Sequence, residues 1–363
     1  MDRALALAKE GKGLTSPNPM VGAVLLRGGV VVGEGSHRYA AVKHAEVLAI
    51  EQAGERTQGA TLYVNLEPCS HFGRTGPCCN SIISAGVARV VAAMTDPNPR
   101  VAGNGFQQLR EAGVDVVFGL KEAEARRLNE AYSKYITTKL PFVTLKAGMT
   151  LDGKIAAGDG HSKWITGQES RMRAQQLRFE NDALLVGIRT VLQDDPWLTD
   201  RSGQTRRRSL TRVILDSNLN FPLQSNVASS RQEGAILVFC SEEYQPERRS
   251  RLEGIGIEVI PVAASGQHLP IATVLNELGR REIISILIEG GAEVNFSSLR
   301  SHAVDKIIFF MAPRILGGRQ AVPVVGGEGF PDLNHSLSLA FAAVEQVGSD
   351  LMVEAYVRRE DQP

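Results

Sequence analysis

The chain has 363 residues, 43% of them hydrophobic and 22% charged, and its forty Lys and Arg balance forty Asp and Glu. That length allows about two domains, each large enough for its own core. The composition excludes a disordered or fibrous chain, no apolar run approaches the roughly 18 residues of a membrane span, and the zero net charge argues against a polynucleotide partner, which calls for a basic field.

In chain order, the first residues alternate charged and apolar side chains at helical spacing and lack the apolar core and cleavage site of a secretory leader, so they read as a first helix in a cytoplasmic protein. Residues 21–35 read as a hairpin turning at Gly28-Gly29, followed by a helix over 44–54, a strand over 60–66, a loop, a helix over 78–86 and a strand over 89–94. A helix over 105–113, a short strand over 114–119 and one long helix over 121–137 complete an α/β layered domain. Pro141 cannot continue that helix, which sets the expected domains at 1–140 and 141–363. Beyond it, strands are expected over 142–149, 183–187, 211–217, 234–240, 257–262, 283–290 and 306–313, separated by helical or polar segments such as 169–181: a second α/β domain. The charge runs Arg206-Arg207-Arg208 and Glu247-Arg248-Arg249 read as solvated loops.

Three of the four cysteines, Cys69, Cys78 and Cys79, fall within eleven residues, a poor disulfide framework but a plausible metal cluster in a reducing compartment. His44, Cys69 and Cys78 each stand at an element terminus and make an N/S₂ set suited to tetrahedral zinc with one position open, a catalytic arrangement. Zinc lowers the pKa of a bound water towards 7 and so supplies hydroxide at neutral pH, while Glu46, two residues from a ligand, is placed to carry protons to a ring nitrogen and to leaving ammonia. His-x-Glu followed by Pro-Cys and a second Cys is the signature of nucleobase and nucleoside deaminases. Here eight residues separate the cysteines instead of two, and the long loop is expected to help bind substrate. Read separately, His44 as a helix cap, Glu46 as a solvated acid and the cysteines as core are ordinary alternatives; Cys79 is read as structural. Asn18, in a proline-rich turn, is compatible with a pocket or a plain turn.

These residues resemble the RibD family of riboflavin biosynthesis: N-P-M-V-G at 18–22, H-A-E at 44–46, T-L-Y-V-N-L-E-P-C-S-H-F-G-R-T-G-P-C at 61–78 and D-P-N-P at 96–99. The resemblance continues through L-K-A-G-M-T-L-D-G-K at 145–154, S-K-W-I-T at 162–166, D-D-P-W-L-T at 194–199, R-V-I-L-D-S at 212–217, I-E-G-G at 288–291 and A-P-R-I-L-G-G at 312–318. It implies a cytidine deaminase-like zinc domain followed by a dihydrofolate reductase-like domain using NADPH. The first would deaminate 2,5-diamino-6-ribosylamino-4(3H)-pyrimidinone 5′-phosphate; the second would reduce the product's ribosyl chain to ribityl, giving 5-amino-6-(5-phosphoribitylamino)uracil. By the same resemblance His44, Cys69 and Cys78 hold zinc, Glu46 carries the proton, and Asn18, His37 and Arg74 line the deaminase pocket. Two departures are Gly76, where the family usually has Pro, and Ala41, where it usually has Gly; the first should loosen the loop and the second require a different φ.

No G-x-G-x-x-G fingerprint is present, so a Rossmann domain is not expected. Gly290-Gly291 before a helix start at Ala292 could hold a pyrophosphate, or be an ordinary strand-to-helix turn. The resemblance implies that Gly148, Trp164, Thr190, Asp194, Ser217 and Gly291, Ala292, Glu293, Val294 and Asn295 contact NADPH, and that Ser162, Arg178, Leu198, Arg201 and Glu289 contact substrate. Arg178 and Arg201 suit a phosphate, although either could be a surface arginine; Trp164 could stack or fill core. Lys146 and Asp194 are the candidates for polarising the reducible carbon and supplying a proton. Rival readings are a deaminase acting on another nucleobase, retention of only one activity, and a zinc-stabilised ligand sensor. The expected partner is a small phosphorylated pyrimidine, with neither nucleic acid nor membrane, and a homo-oligomer is expected.

Overall fold

The computed structural model describes residues 1–72, 76–99, 101–263 and 269–358. The chain separates into two compact units, Met1–Lys139 together with Thr205–Arg208, and Leu140–Gln204 together with Ser209–Pro363. Among the described residues no helix is long and apolar enough to cross a membrane.

In the first unit α1 (Asp2–Lys9) leads into β1 (Gly22–Arg27) and β2 (Val30–Ser36), then α2 (Ala45–Ala53), β3 (Thr61–Val64), α3 (Cys78–Ser84), β4 (Arg89–Ala92), α4 (Asn104–Glu111), β5 (Asp115–Phe118), α5 (Glu122–Leu128) and α6 (Glu130–Thr138). The five strands form one sheet in the order β2-β1-β3-β4-β5, antiparallel at β2-β1-β3 and parallel from β3 to β5. Because side chains alternate across a strand, Ala23 and Leu25 of β1 face one core with Ala45, Ala49, Leu62, Ile82 and Leu109, while Val24 faces Ala4 and Leu7 of α1 on the other side. Three layers result.

The single helix expected over 121–137 is two. It breaks at Asn129, whose buried amide turns inward: Met20 N–H donates to Asn129 Oδ1 (2.8 Å) and Asn129 Nδ2 donates to Met20 O (3.0 Å). Satisfying the buried backbone of the turn before β1 outweighs one more turn of helix. The arginine run also differs from expectation. Arg206, Arg207 and Arg208 are half-buried, and Arg207 donates its backbone N–H to Gly13 O (2.9 Å) and lies over the Tyr39 ring.

The second unit contains β6 (Phe142–Thr150), β7 (Lys154–Ala156), α7 (Gln168–Glu180), β8 (Ala183–Gly187), α8 (Ile188–Asp194), β9 (Thr211–Leu215), α9 (Asn226–Ser229), β10 (Ile236–Ser241), α10 (Pro246–Glu253), β11 (Glu258–Val262), α11 (Ile271–Arg280), β12 (Ser285–Ile288), α12 (Ala292–Arg300), β13 (Lys306–Ala312), β14 (Val322–Pro323), β15 (Leu339–Val347) and β16 (Asp350–Val357). A nine-stranded sheet runs β11-β10-β9-β8-β12-β6-β13-β16-β15, parallel up to β13 and antiparallel beyond it. Every residue of β8 and β12 is buried, as a parallel strand covered on both faces requires. Val274, Leu278 and Leu299 cover one face, and Leu177 and Leu252 the other. The Glu247-Arg248-Arg249 run lies in α10, where Arg249 pairs with Glu253 (2.8 Å) and Tyr244 (2.7 Å).

Candidate active sites

The first site is assembled by close packing of α2 on β2. A Cβ at Gly33 would lie 2.1 Å from Ala49 O, and one at Gly35 2.0 Å from Ala45 O, so only glycine lets the helix come this near the sheet. His44 caps α2 and Glu46 sits in its first turn; Cys69 lies beyond β3 and Cys78 is the first residue of α3. The donor atoms of His44, Cys69 and Cys78 all lie within 4.8 Å of one another, with His44 Nδ1 2.9 Å from Cys78 Sγ and 3.5 Å from Cys69 Sγ. Ligands of tetrahedral zinc stand roughly 3.5–3.8 Å apart, given Zn–S near 2.3 Å and Zn–N near 2.0–2.1 Å, so the set fits the ion. The Cys78 thiol and then His44, both hydrogen-bonded to Cys69, hold that thiol down at about 4, a thiolate ready to ligate. The hydrogen bond with Cys69 raises His44.

Glu46 is 3% exposed, and its Oε2 has no hydrogen-bond partner among the described residues. Burial pushes its carboxyl up from the ordinary range, which suits a group that must hold a proton between transfers. Asn18 Nδ2 lies 3.2 Å from His37 Nε2, His37 Nδ1 lies 3.1 Å from Lys43 O, and the His37 ring meets the His44 ring edge-on at 5.3 Å. Two of the three expected pocket residues thus adjoin the ligand set; Arg74 lies outside the described residues. The two departures from the family pattern sit in different settings. Ala41 sits in a 3-10 turn without positive φ, and it is Val42 that takes φ 63°. Among the described residues a side chain at Gly76 would meet only Phe72, at 4.0 Å, so no close contact there requires glycine.

Sequence reasoning missed Glu67. Its buried carboxylate accepts four backbone N–H groups: Gly105 (2.9 Å) and Phe106 (3.3 Å) at Oε1, Asp96 (3.0 Å) and Gly103 (3.0 Å) at Oε2. It fastens the start of α4 to the strand end that presents Cys69, and a Cβ at Gly105 would lie 2.1 Å from Pro68 O. Cys79 plays the structural part expected of it, its buried thiol facing Pro68 O (3.3 Å) and Gly105 O (3.6 Å). The signal in sequence was an acid immediately before Pro-Cys, with glycines at 103 and 105 to approach it.

The second site is a cavity of about 1450 Å³ at the carboxyl ends of β6, β8, β9, β10 and β12, where ligands of open parallel sheets bind. It exceeds the roughly 300–1,000 Å³ of a single small-ligand pocket, leaving room for two molecules. Lys146 and Gly148 line it from β6, Thr190 and Asp194 from α8, Ser217 from the end of β9, and Glu289, Gly291, Ala292, Glu293 and Val294 from the turn into α12; Ser162, Trp164, Arg178, Leu198 and Arg201 complete the expected set. Asn295 is set apart: it is wholly buried, does not line the cavity, and donates Nδ2 to Val324 O (2.7 Å). Gly290 needs its hydrogen, since a Cβ would lie 2.7 Å from Val294, whereas a Cβ at Gly291 would meet nothing within 4 Å. A glycine floor beside a helix start, with cations around it, fits a dinucleotide diphosphate.

Arg178 does not offer a free fork to a phosphate. It binds Glu289 through two bonds, Nε to Oε1 (3.0 Å) and Nη2 to Oε2 (2.8 Å), and gives Nη1 to Thr199 O (2.9 Å). Lys146 Nζ stands 3.9 Å from Glu289 Oε2. Burial alone would raise Glu289, but Arg178 and Lys146 overcome it and hold the carboxyl at about 2. Asp194 ends α8, accepting from Ser162 Oγ at Oδ1 (3.3 Å). Trp164 is not core: it is 65% exposed, stacked under Arg171 at 4.8 Å, with its carbonyl accepting from Arg314 Nη1 (3.3 Å).

Residues 1–94 match the cytidine and deoxycytidylate deaminase zinc-binding region, and residues 141–353 match the RibD C-terminal domain. The chain is 40% identical over 358 residues to riboflavin biosynthesis protein RibD of Actinobacillus pleuropneumoniae, covering 98% of this chain and 94% of that one. To RibD of Aquifex aeolicus it is 43% identical over 353 residues, covering 97% and 96%. Among solved structures, Acinetobacter baumannii RibD superposes with a TM-score of 0.87 at 36% identity, covering 99% of this chain and 98% of that one. The diaminohydroxyphosphoribosylaminopyrimidine deaminase/5-amino-6-(5-phosphoribosylamino)uracil reductase of Thermotoga maritima superposes with a TM-score of 0.85 at 37% identity, covering 99% and 97%.

Proposed function

The chain belongs to the RibD family, and on that premise we propose how its two sites divide the work of a bifunctional deaminase and reductase in riboflavin biosynthesis. The observation that carries the reading is the joint presence, on one chain, of the His44–Cys69–Cys78 set with buried Glu46 beside it and of the large strand-end cavity around Lys146 and Glu289. Residues 1–140 form the deaminase domain and 141–363 the reductase domain, except that Thr205–Arg208 group with the first unit.

In the deaminase, His44, Cys69 and Cys78 hold zinc, which when bound supplies a water acidic enough to attack a ring carbon at neutral pH. Glu46 takes one proton of the water at its carboxylate and gives it to the ring nitrogen, then takes the second from the newly bonded hydroxyl and gives it to the amino group, which departs as ammonia. Its burial keeps that proton from solvent and raises its proton affinity above that of an ordinary carboxylate. Asn18, held against His37, presents amide hydrogen-bonding atoms to the pyrimidine edge, and Arg74 serves the same pocket. The substrate is 2,5-diamino-6-ribosylamino-4(3H)-pyrimidinone 5′-phosphate.

In the reductase, NADPH supplies a hydride when bound. Gly148, Trp164, Thr190, Asp194, Ser217 and the turn from Gly291 hold the cofactor, and Ser162, Leu198, Arg201 and Glu289 face the substrate. Arg178 keeps Glu289 ionised and aimed, so that Glu289 accepts from ribose hydroxyls while Lys146 polarises C1′. Asp194, next to Ser162, is the proton donor. The protein acts in the cytoplasm as a homo-oligomer on a small phosphorylated pyrimidine, with neither nucleic acid nor membrane as partner.

A coupled assay tests this. With the diaminopyrimidinone substrate, and in parallel with the deaminated intermediate supplied directly, ammonia release and NADPH oxidation are followed separately before and after chelation of zinc. Chelation should abolish ammonia release yet leave NADPH oxidation on the deaminated intermediate; ammonia release that survives complete zinc removal would refute the division. Lys146→Ala or Asp194→Asn enzyme that keeps full reductase turnover would remove that residue from the mechanism.

A further inference from the structure

Among the described residues the cavity of the second unit holds five cationic side chains, and four have an evident task. Arg178 is bonded through its fork to Glu289, and Lys146 stands 3.9 Å from the same carboxylate. Arg201 also acts electrostatically on Glu289, and Lys163 Nζ donates to Asp194 O at 3.2 Å. Arg189 is different. It is exposed, it lines the cavity from the first turn after β8, and among the described residues its guanidinium has neither an ion pair nor a hydrogen bond.

Its position along the sheet says what it waits for. In the order β10-β9-β8-β12-β6, the cavity meets Ser241, Ser217 and Arg189 at or just past the first three strand ends, the Gly290-Gly291 turn past β12, and Lys146 within β6 level with the end of β12. Adjacent strands lie about 4.8 Å apart, so this row spans about 19 Å, enough for an extended dinucleotide. With the reacting end at Lys146 and Glu289 and the diphosphate at Gly291–Val294, the adenosine lies towards the hydroxyl-bearing ends of β9 and β10. Arg189 then stands one strand from the diphosphate on the adenosine side, where the adenosine ribose carries its 2′-phosphate. The other phosphate monoester in the reaction belongs to the pyrimidine's ribosyl chain, which must place C1′ by Lys146 and has Arg201 near it. A guanidinium matches a phosphate monoester through its planar fork.

We propose that Arg189 binds the 2′-phosphate of NADPH and is the residue that makes this chain prefer NADPH over NADH. The inference rests on reading the cavity as the cofactor site, and the experiment separates the two. Calorimetric titration of the full-length chain with adenosine 2′,5′-bisphosphate and with 5′-AMP, for the parent, Arg189→Ala and Arg189→Lys, gives binding without turnover. The parent should bind the bisphosphate at least tenfold tighter than 5′-AMP. Arg189→Ala should lose about tenfold or more for the bisphosphate and less than twofold for 5′-AMP, with Arg189→Lys between, because Lys keeps the charge without the fork. In steady state KM for NADPH should rise to match, with kcat, KM for NADH and KM for the pyrimidine unchanged. Arg189 makes no hydrogen bond or ion pair among the described residues, so the thermal midpoint should not move. Equal losses for both nucleotides, no loss for either, or a rise confined to the pyrimidine's KM would overturn the proposal. A parent that binds neither nucleotide would overturn the cofactor reading and this inference with it.

Discussion

Replacing Glu67 by Gln puts the clamp beneath the zinc ligands to a direct test. Each carboxylate oxygen accepts two backbone N–H groups, from Gly105 and Phe106 on one side and from Asp96 and Gly103 on the other. Gln retains one oxygen and sets an NH₂ against the remaining pair, so two buried donors lose their acceptor whichever way the amide turns. An unsatisfied buried donor costs about 1–3 kcal/mol, which makes the loss about 2–6 kcal/mol. At roughly 4 °C per kcal/mol for a unit of this size, the unfolding transition of Met1–Lys139 should fall by about 8–24 °C. Differential scanning calorimetry of the zinc-loaded full-length chain reads this. The transition of the second unit, remote in sequence from the change, serves as the internal reference. Cys69 is two residues from the clamp, so zinc should also be lost more readily to a competing chelator at a temperature where the variant is folded. A Glu67→Gln protein that melts within about 2 °C of the parent would refute the clamp.

Glu46→Gln should lower deamination at least ~10²-fold while zinc stoichiometry by metal analysis stays at the parental value, because general acid–base catalysis contributes about 10²–10⁴-fold and Glu46 is not a ligand; unchanged turnover would remove it as proton carrier. Glu289 is held at about 2, below its unfolded value near 4.3, so it stabilises the second unit above pH 4.3 and that contribution disappears as pH falls towards 2. The full difference is on the order of 3 kcal/mol, and urea unfolding of the parent and Glu289→Gln between pH 5 and 2.5 should show the parent losing stability more steeply. Val42 occupies φ 63°, unfavourable for a β-branched residue. Val42→Gly should therefore stabilise the first unit by about 1 kcal/mol, read as a rise in its thermal midpoint; a fall would show that the Val side chain matters more than the strain.

Much of this protein is readable locally. The zinc set, its proton carrier and the α/β character of both units follow from residue chemistry at short spacing and from apolar periodicity, since a strand buried on both faces must be apolar throughout and His-x-Glu at a helix start fixes two side chains at once. What needed the tertiary structure depends on partners distant in sequence. The break at Asn129 answers a backbone more than a hundred residues away, at Met20. Leu339–Val347, rich in Ala, Glu and Gln that favour helix, is a strand because β16 pairs with it. Arg178 is the right residue type for phosphate, yet Glu289, 111 positions on, holds its fork. Sequence determines which groups can ligate, donate or bind anions; only the folded packing decides which are already satisfied by the chain itself, and so which, like Glu46 and Arg189, remain available for chemistry.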